Sequence, residues 1–322
     1  METRMLDRFK DALTAHRARL AGWLRSEAEG APVGCAATGH ASGGALPVLA
    51  EIDRALGRIA DRTFGRCTQC SGEVEPERLS LDFTTCVCLD HYSASEVRAL
   101  ERDLELAARV QRHLFPCCVP ALPQVQIAAH AQPASILSGD YYDFFSAPDG
   151  AQGIALADVM GKGLPASMLM ANLQASLRIL GPEHDDLDAL AARLNGLFRY
   201  NLKLIRFISL FLLTVDAEAG LLRYCNAGHH PPLLWDGATG AVTRLDPTGP
   251  ALGIVPAPTF SARTLPFNPG DTLVLYTDGL VEARDPEGEE FGEARLSRYL
   301  ERHHAAPAEV LLAGLREVVT GF

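Results

Sequence analysis

The chain has 322 residues, of which 48% are hydrophobic and 21% are charged, and its formal net charge is −11. This is the composition of a globular protein, and the length predicts one sizeable domain and a smaller one. The negative charge argues against a nucleic-acid partner, because phosphate backbones are bound by basic surfaces.

The hydropathy pattern does not indicate a membrane segment. The longest apolar run, residues 207–215, is far shorter than the ~20 residues needed to cross a bilayer. Residues 1–8 lack the apolar core of a signal peptide. Four of the eight cysteines fall between Cys67 and Cys88, and thiols clustered in this way suit metal binding in a reducing compartment. We expect a cytoplasmic protein without a membrane partner.

Residues 1–62 are expected to form a helical hairpin. Apolar residues recur with three-four spacing over residues 6–23 and again over residues 49–59, which predicts two amphipathic helices. Residues 30–46 are rich in glycine, alanine and small polar residues, which predicts a flexible link between the two helices.

The next part of the chain carries a candidate zinc site. Cys67 and Cys70 form a CxxC pair, and the second pair is either Cys86 with Cys88 or Cys88 with His91. The pair Cys88 and His91 repeats the two-residue spacer and leaves seventeen residues after Cys70. Cys86 and Cys88 would instead point to opposite sides of an extended chain. Because structural zinc takes four such ligands, we predict Zn²⁺ on Cys67, Cys70, Cys88 and His91, with Cys86 outside the site.

This segment, residues 63–93, resembles a DksA/TraR-type zinc finger. The likeness rests on the cysteine spacing, on residues 55–67, which lead up to the first cysteine, and on residues 75–79, which lie between the two ligand pairs. It implies that His91 takes the place of a cysteine ligand. The alternatives are a finger that has lost its metal and a redox dithiol at the CxxC pair, but no βαβ pattern surrounds that pair.

Residues 94–115 are expected to form a linker helix. Its apolar residues keep heptad spacing, at Val97, Leu100, Leu104, Ala107 and Leu114. Such a stripe packs either on its own domain or on its twin, in a homodimer formed through residues 95–114.

Three aspartates stand at the ends of strand-like runs in residues 116–322. Asp140 directly precedes the run 141–145, Asp158 follows the run 153–157, and Asp278 follows the run 272–277. Glycines beside them let the backbone approach closely. Three converging carboxylates would form a site of oxygen ligands, which suits Mg²⁺ or Mn²⁺.

Secondary structure in this region alternates between strand and helix patterns. The strands are predicted near 125–131, 142–147, 153–158, 208–216, 221–226, 259–265 and 272–277. Helical spacing predicts long helices over 164–180 and 187–205. Cys225 lies in a strand-like run and is expected in the core, and His229-His230, followed by two prolines, predicts a turn.

The aspartate motifs resemble those of the bacterial PPM-type serine/threonine phosphatases of the SpoIIE/RsbU group. Supporting motifs at 111–116, 226–234 and 249–254 stand in family order, so that the likeness covers about two thirds of the chain. The resemblance implies an α+β fold in which an α-β-β-α sandwich holds metals at one edge. It also implies a metal-dependent phosphoserine or phosphothreonine phosphatase, whose family members often act on anti-sigma factor antagonists.

The resemblance also implies a role for each acid. Asp158 would be the central ligand of two Mn²⁺ or Mg²⁺ ions, with the backbone carbonyl of Val159 as a neighbouring contact. Asp140 and Asp278 would complete the set, and the three aspartates would be the catalytic residues. Family members carry a fourth acid on a further strand, which no residue up to Phe322 matches. Either the sequence is truncated or the site is incomplete and holds one ion weakly.

Two other functions remain open. The first is a non-catalytic regulator that binds a phosphoprotein through an incomplete metal site. The second is a transcription factor that acts on RNA polymerase through the finger. The second is disfavoured because DksA-type proteins use an acidic hairpin tip, and residues 31–40 carry no acid.

Overall fold

The structure is a computed structural model that describes residues 6, 7, 9–11, 13–15, 17, 18, 21, 40–133, 136–161, 163–201, 207–255 and 257–322. It divides into two compact units. The first comprises Met1–Asp103 with Tyr200–Ile205, and the second comprises Leu104–Arg199 with Arg206–Phe322. No helix in the described ranges has the length and apolar character needed to span a bilayer.

The first unit is helical around a small hydrophobic core. It contains α1 (His40–Ala60), α2 (Pro76–Leu81), a 3₁₀ turn (Leu89–His91) and the start of α3 (Ala94–Leu114). The core includes Leu13, Ile52, Phe64 and Leu79, together with Cys67 and Cys88.

One prediction for the first unit needs correction. The flexible link was expected to reach residue 46, but α1 already begins at His40. The stretch is poor in bulky apolar residues, so hydrophobic periodicity could not identify it as helix. The rest of the predicted link lies outside the described residues, and the hairpin itself stays a prediction.

The second unit contains two antiparallel sheets. The strands are β1 (Tyr141–Ser146), β2 (Gln152–Val159), β3 (Ile208–Asp216), β4 (Leu221–Ala227), β5 (Leu233–Trp235), β6 (Val242–Arg244), β7 (Arg263–Pro266) and β8 (Thr272–Val274). The first sheet has the order β1-β2-β3-β4-β7 and the second has the order β6-β5-β8. In the β2–β3 ladder, Asp158 lies directly opposite Ser209.

Besides the end of α3, the described residues of this unit form five helices: α4 (Leu164–Leu180), α5 (Leu187–Asn201), α6 (Asp278–Val281), α7 (Gly292–His303) and α8 (Ala308–Thr320), with a 3₁₀ turn at Gly181–Glu183. Helix α4 starts after Gly163, whose φ is +71°, and has proline in its first turn, a combination that favours helix initiation. Met170, Leu173 and Leu177 recur at helical spacing and are buried, and α4 contacts β1 and β2.

Two hydrophobic clusters hold the sheets in place. One joins apolar residues of both sheets, including Phe211 and Leu213 of β3 and Leu273 of β8. The other joins β5 to α7 and α8 through Leu233, Leu300 and other residues. Cys225 is fully buried in β4, which confirms its predicted place in the core.

Three of the predicted strands differ from the structure: one is not a strand, and two are shorter than predicted. Residues 125–131 are not a strand, although their residues alternate, and the only ladder contact in their vicinity among the described residues is an isolated bridge from Leu122 to Val125. A strand needs a hydrogen-bonding partner as well as a pattern. The predicted strand 259–265 begins only at Arg263, and the run 272–277 leaves the ladder after Val274.

Candidate metal centres

The three predicted aspartates lie together. Asp140 directly precedes β1, Asp158 is the second-to-last residue of β2, and Asp278 is the first residue of α6. One carboxylate oxygen from each lies within 4.8 Å of the others, and all three side chains are partly buried. The centre therefore combines one residue of β2, one that directly precedes β1 and one in the segment that follows β8.

A close backbone approach places Asp140 beside β2. A Cβ on Gly139 would lie 2.6 Å from the carbonyl oxygen of Val159, so only glycine fits without a shift. The predicted backbone ligand, the Val159 carbonyl, is thus adjacent to the residue that precedes Asp140. Gln111 holds this loop from α3, since its amide donates to the Ser138 carbonyl at 2.7 Å and its side-chain oxygen accepts from the Ser138 N–H at 3.0 Å.

Thr277 orients one of the carboxylates. Its hydroxyl donates a hydrogen bond of 2.7 Å to Oδ2 of Asp140. The bond joins the segment after β8 to the start of β1. Sequence reasoning treated Thr277 only as part of a strand-like run, and its position next to Asp278 was the available signal.

The electrostatics of the centre favour a cation. Burial raises the pKa of Asp158 to about 7, and repulsion from Asp140, Asp278 and the exposed Glu282 adds to the rise. Burial raises the pKa of Asp140 as well, although the Thr277 donor opposes the change. In the described part of the chain, no lysine or arginine forms an ion pair with these carboxylates. A bound divalent cation would supply the missing positive charge.

The carboxylates lie on the wall of an open cavity of about 2030 Å³. Met160, Gly161 and His230 line it near the centre, and apolar residues of both sheets, among them Leu156 and Leu275, line the part farther away. The cavity has room for a phosphorylated side chain and water next to the acids.

The first unit contains a second cluster of ligand-type side chains. Cys67, Cys70, Cys88 and His91 each place one donor atom within 4.8 Å of the others. The sulfurs of Cys70 and Cys88 are 3.7 Å apart, close to the ~3.8 Å expected for two thiolates bound to tetrahedral zinc at about 2.3 Å.

The loop geometry around these thiols supports the predicted ligand set. The N–H of Gln69 donates to the Cys67 sulfur and the N–H of Gly72 to the Cys70 sulfur, each at 3.4 Å. Cys86 does not belong to the cluster. Its carbonyl instead accepts the N–H of Thr68 at 2.8 Å.

The thiols of this cluster differ in acidity. Burial acts to raise the pKa of Cys67, but backbone N–H donors of Cys88, Cys70 and Gln69 outweigh it and bring that pKa down to about 6. Burial and the neighbouring thiols raise the pKa of Cys88 to about 11. A lowered thiol pKa provides a thiolate at neutral pH, the form that binds metal.

The family model for stage II sporulation protein E (SpoIIE) matches residues 148–321. The chain belongs to the SpoIIE family. This confirms the predicted SpoIIE-type domain, and the match includes Asp158 and Asp278 but begins after Asp140.

Relatives extend the comparison. The chain is 33% identical over 236 residues to protein IcfG of Synechocystis sp., covering 65% of this chain and 37% of the relative. It is 28% identical over 217 residues to phosphoserine phosphatase RsbU of Bacillus subtilis, covering 67% of this chain and 64% of the relative. A third relative is phosphoserine phosphatase RsbP of the same organism, at 29% identity, with 56% of this chain and 46% of the relative covered. The chain thus spans 37% to 64% of the length of these relatives.

Solved structures support the fold. The SiaA-PP2C domain of Pseudomonas aeruginosa superposes with a TM-score of 0.59 at 21% identity, covering 71% of this chain and 93% of that one. The RsbU and RsbW domains of a Mycobacterium tuberculosis protein superpose with a TM-score of 0.51 at 25% identity, covering 59% of this chain and 52% of that one. The second unit is therefore a mixed α+β domain with antiparallel sheets of the PP2C type.

Proposed function

We propose that the second unit is a metal-dependent phosphatase for phosphoserine or phosphothreonine in proteins. The observation that carries this proposal is the convergence of three partly buried carboxylates beside a large cavity. The relatives RsbU and RsbP are phosphoserine phosphatases. The two sheets, with α4 against one and α7 and α8 against the other, agree with an α-β-β-α sandwich.

Each acid has a distinct position in the proposed site. Asp158, whose pKa is raised most clearly, would be the central ligand. Asp140, oriented by Thr277, and Asp278 would complete the ligand set with the Val159 carbonyl. Bound Mn²⁺ or Mg²⁺ would lower the pKa of a bound water and neutralise charge on the phosphate. The fold of the second unit would hold the three carboxylates within 4.8 Å of one another, close enough for them to bind such ions together.

The relatives, two of which are phosphoserine phosphatases, and the open cavity support a proposal for the substrate class. We propose a regulatory phosphoprotein, such as an anti-sigma factor antagonist. The open cavity leaves room for a protein segment carrying one phosphorylated side chain. A chain with net charge −11 is not suited to attract nucleic acid.

The alternative proposal is a non-catalytic regulator that binds the phosphoprotein without cleaving it. Three aspartates converge among the described residues, and a three-carboxylate site that holds its second ion weakly would bind the phosphate without cleaving it.

Manganese-dependent hydrolysis of p-nitrophenyl phosphate separates the two functions. A phosphatase releases nitrophenol in proportion to bound Mn²⁺, and Mg²⁺ should support less or equal turnover. Binding of a phosphoserine peptide without any release of phosphate, at saturating Mn²⁺, would favour the regulator. The control is the Asp149→Asn variant, which changes an exposed carboxylate whose Oδ1 accepts only the N–H of Ala151.

For the first unit we propose a structural zinc finger over residues 63–93, between a helical hairpin over residues 1–62 and a linker helix over residues 94–115. The clustering of Cys67, Cys70, Cys88 and His91 supports it. Thiols kept as metal ligands suit a reducing compartment, so the cytoplasm is the proposed location.

Homodimer formation through residues 95–114 is also proposed. Leu100 of the predicted stripe is half exposed, and so are Leu106 and Val110 of the same helix. Leu104, Ala107 and Leu114 are only partly buried. Light scattering of the purified chain, compared with a Leu100→Glu variant, tests whether this helix joins two copies.

A further inference from the structure

His229 is the most enclosed ionisable group near the carboxylate centre. It lies in the loop between β4 and β5 and is only 2% exposed. Its backbone N–H donates to Oδ1 of Asn226 at 2.8 Å. Its ring nitrogens lie 2.8 Å from Oγ of Ser209 and 3.2 Å from the carbonyl oxygen of Tyr276.

The two ring contacts define which nitrogen carries the proton. A carbonyl oxygen can only accept, so Nε2–H donates to Tyr276. In the neutral ring Nδ1 is then an acceptor, and the Ser209 hydroxyl donates a hydrogen bond to it at 2.8 Å, a shorter contact than the 3.5 Å from the same hydroxyl to the Asp158 carbonyl. The imidazole is thus a bridge with a defined direction, from the Ser209 hydroxyl through the ring to the Tyr276 carbonyl.

The partners of this bridge sit beside two of the proposed metal ligands. Ser209 lies directly opposite Asp158 in the β2–β3 ladder. Tyr276 stands two residues before Asp278. The imidazole therefore connects the strand next to Asp158, in the first sheet, to the segment that carries Asp278 after β8, the last strand of the second sheet.

We infer that His229 is a positioning residue that fixes the separation between Asp158 and Asp278 and so sets the metal affinity of the centre. The inference rests on the proposed function. His229 does not contact the carboxylates in the structure, and its near-complete burial leaves it no path to substrate.

The loop that presents His229 is itself fixed. The side-chain amide of Asn226 donates to the Leu245 carbonyl at 3.0 Å. Gly228 has a φ of +67°, and a Cβ there would lie 2.5 Å from the backbone nitrogen of Ala251. Only glycine is accommodated at this turn, so the bridge starts from a backbone position with little freedom.

A pair of amide substitutions separates the two ends of the bridge. In His229→Asn the short side chain reaches the position of Nδ1, so it keeps Ser209 but loses Tyr276. In His229→Gln the longer side chain brings an N–H donor to the position of Nε2 and keeps Tyr276. Both replacements are polar and of similar size, which limits the loss of packing.

The matched control is Asn195→Ala. Asn195 is also 2% exposed, and it holds a loop by accepting from Gly253 N–H at 2.8 Å and donating to the Val255 carbonyl at 3.3 Å. Its removal should lower the melting temperature without moving the carboxylates.

The experiment measures Mn²⁺ binding to the 322-residue chain and each variant by electron paramagnetic resonance, with thermal unfolding followed by circular dichroism. We expect His229→Asn to weaken Mn²⁺ binding by about tenfold or more, the scale seen when a group that orients metal ligands is removed. His229→Gln should weaken Mn²⁺ binding to a similar extent, because it loses the Ser209 end of the bridge. Asn195→Ala should bind Mn²⁺ as the wild type does while melting earlier.

The outcomes are distinguishable. If the wild type binds Mn²⁺ and folded His229→Asn binds it equally well, the inference is overturned while the proposed function stands. Equal weakening in His229→Asn, His229→Gln and Asn195→Ala, in step with their melting temperatures, would reduce His229 to a structural residue and overturn the inference too. A wild type that binds no Mn²⁺ at millimolar concentration would remove the proposed function together with the inference.

Discussion

The two candidate metal centres are assembled in opposite ways. The thiol cluster takes all its ligands from Cys67 to His91, within one short stretch of chain. The carboxylate centre brings together Asp140, Asp158 and Asp278, which lie in or next to strands of both sheets and are separated by up to 138 positions. We expect the first arrangement to depend on local spacing and on a bound metal, and the second to depend on the hydrophobic clusters of the second unit. Metal removal should therefore unfold the segment around the thiol cluster. It should leave the second unit folded, with the negative charge of its clustered carboxylates no longer neutralised by a cation.

Replacing the central acid should have the largest effect. Asp158→Asn is expected to lower Mn²⁺-dependent hydrolysis of p-nitrophenyl phosphate by about 10³-fold, the scale of losing a preorganised catalytic group. The variant should fold, and without metal it should melt no earlier than the wild type, because burial and like charge oppose ionised Asp158. Circular dichroism and initial rates test both statements, and turnover equal to that of the wild type at saturating Mn²⁺ would contradict the assignment.

Zinc content tests the other half of the comparison. The purified protein should carry one Zn²⁺ per chain, and His91→Ala should lose it together with the hydrogen-exchange protection of residues 63–93. A site this small is stabilised chiefly by its metal. Cys86→Ser is the control and should keep the zinc, because Cys86 takes part through its carbonyl rather than its sulfur. The reverse pattern would change the ligand set, and a protein purified without chelators that holds no zinc would remove the finger.

Acid should destabilise the second unit through His229. Burial lowers the pKa of His229 to about 4, with repulsion from His230 assisting. Because the unfolded chain binds this proton at about pH 6.5, the stability contributed by neutral His229 is complete above pH 6.5 and is lost as the pH falls toward 4. The free energy of unfolding should therefore drop by about 3 kcal/mol more in the wild type than in His229→Gln over this range.

Urea unfolding of the wild type and His229→Gln at several pH values measures how the free energy of unfolding changes with pH in each protein. Both proteins contain the same carboxylates, so the contribution of those groups cancels in the difference. Parallel pH profiles for the two proteins would show that His229 titrates normally.

The smallest effect is expected at Thr277. Thr277→Val removes the donor to Asp140 while keeping the shape of the side chain. Loss of one hydrogen bond to a charged group should weaken Mn²⁺ binding by about fivefold at pH 7. Thr239→Val is the matched control, since its hydroxyl accepts the N–H of Ala241 and hydrogen-bonds the Asp236 carboxylate in an exposed turn. Isothermal titration with Mn²⁺ compares the two, and equal affinities would leave Thr277 without a role at the centre.

Sequence patterns identified the parts of the fold that are locally determined. The uninterrupted apolar run of β3 and the helical spacing of α4 predicted both elements with their observed bounds, Ile208–Asp216 and Leu164–Leu180. The three-residue strands β5 and β6 were not predicted, because a run of three residues shows no periodicity. Residues 125–131 show the opposite error, since they have the pattern of a strand but no ladder partner in the described ranges.

The candidate sites divide in the same way. The ligand spacing of the thiol cluster is local, so the sequence could predict that His91 rather than Cys86 joins it. The structure brings His91 to the three cysteines, and zinc binding stays a prediction. The three aspartates could be found from their motifs, although their convergence depends on both sheets. His229 was interpreted as part of a turn. The loop position was right, but the role of the side chain depends on Ser209 and Tyr276, which are 20 and 47 positions away. Contacts at that separation leave no trace in a local pattern.

The central claim is that the three-aspartate centre performs metal-dependent dephosphorylation. The most direct measurement is phosphate release from a phosphoserine peptide by the wild-type chain, first with saturating Mn²⁺ and then after EDTA. We expect steady release with Mn²⁺, its loss after EDTA and its return when Mn²⁺ is restored. Release that continues unchanged in EDTA, or no release at any Mn²⁺ concentration from a folded protein that binds the ion, would contradict the account.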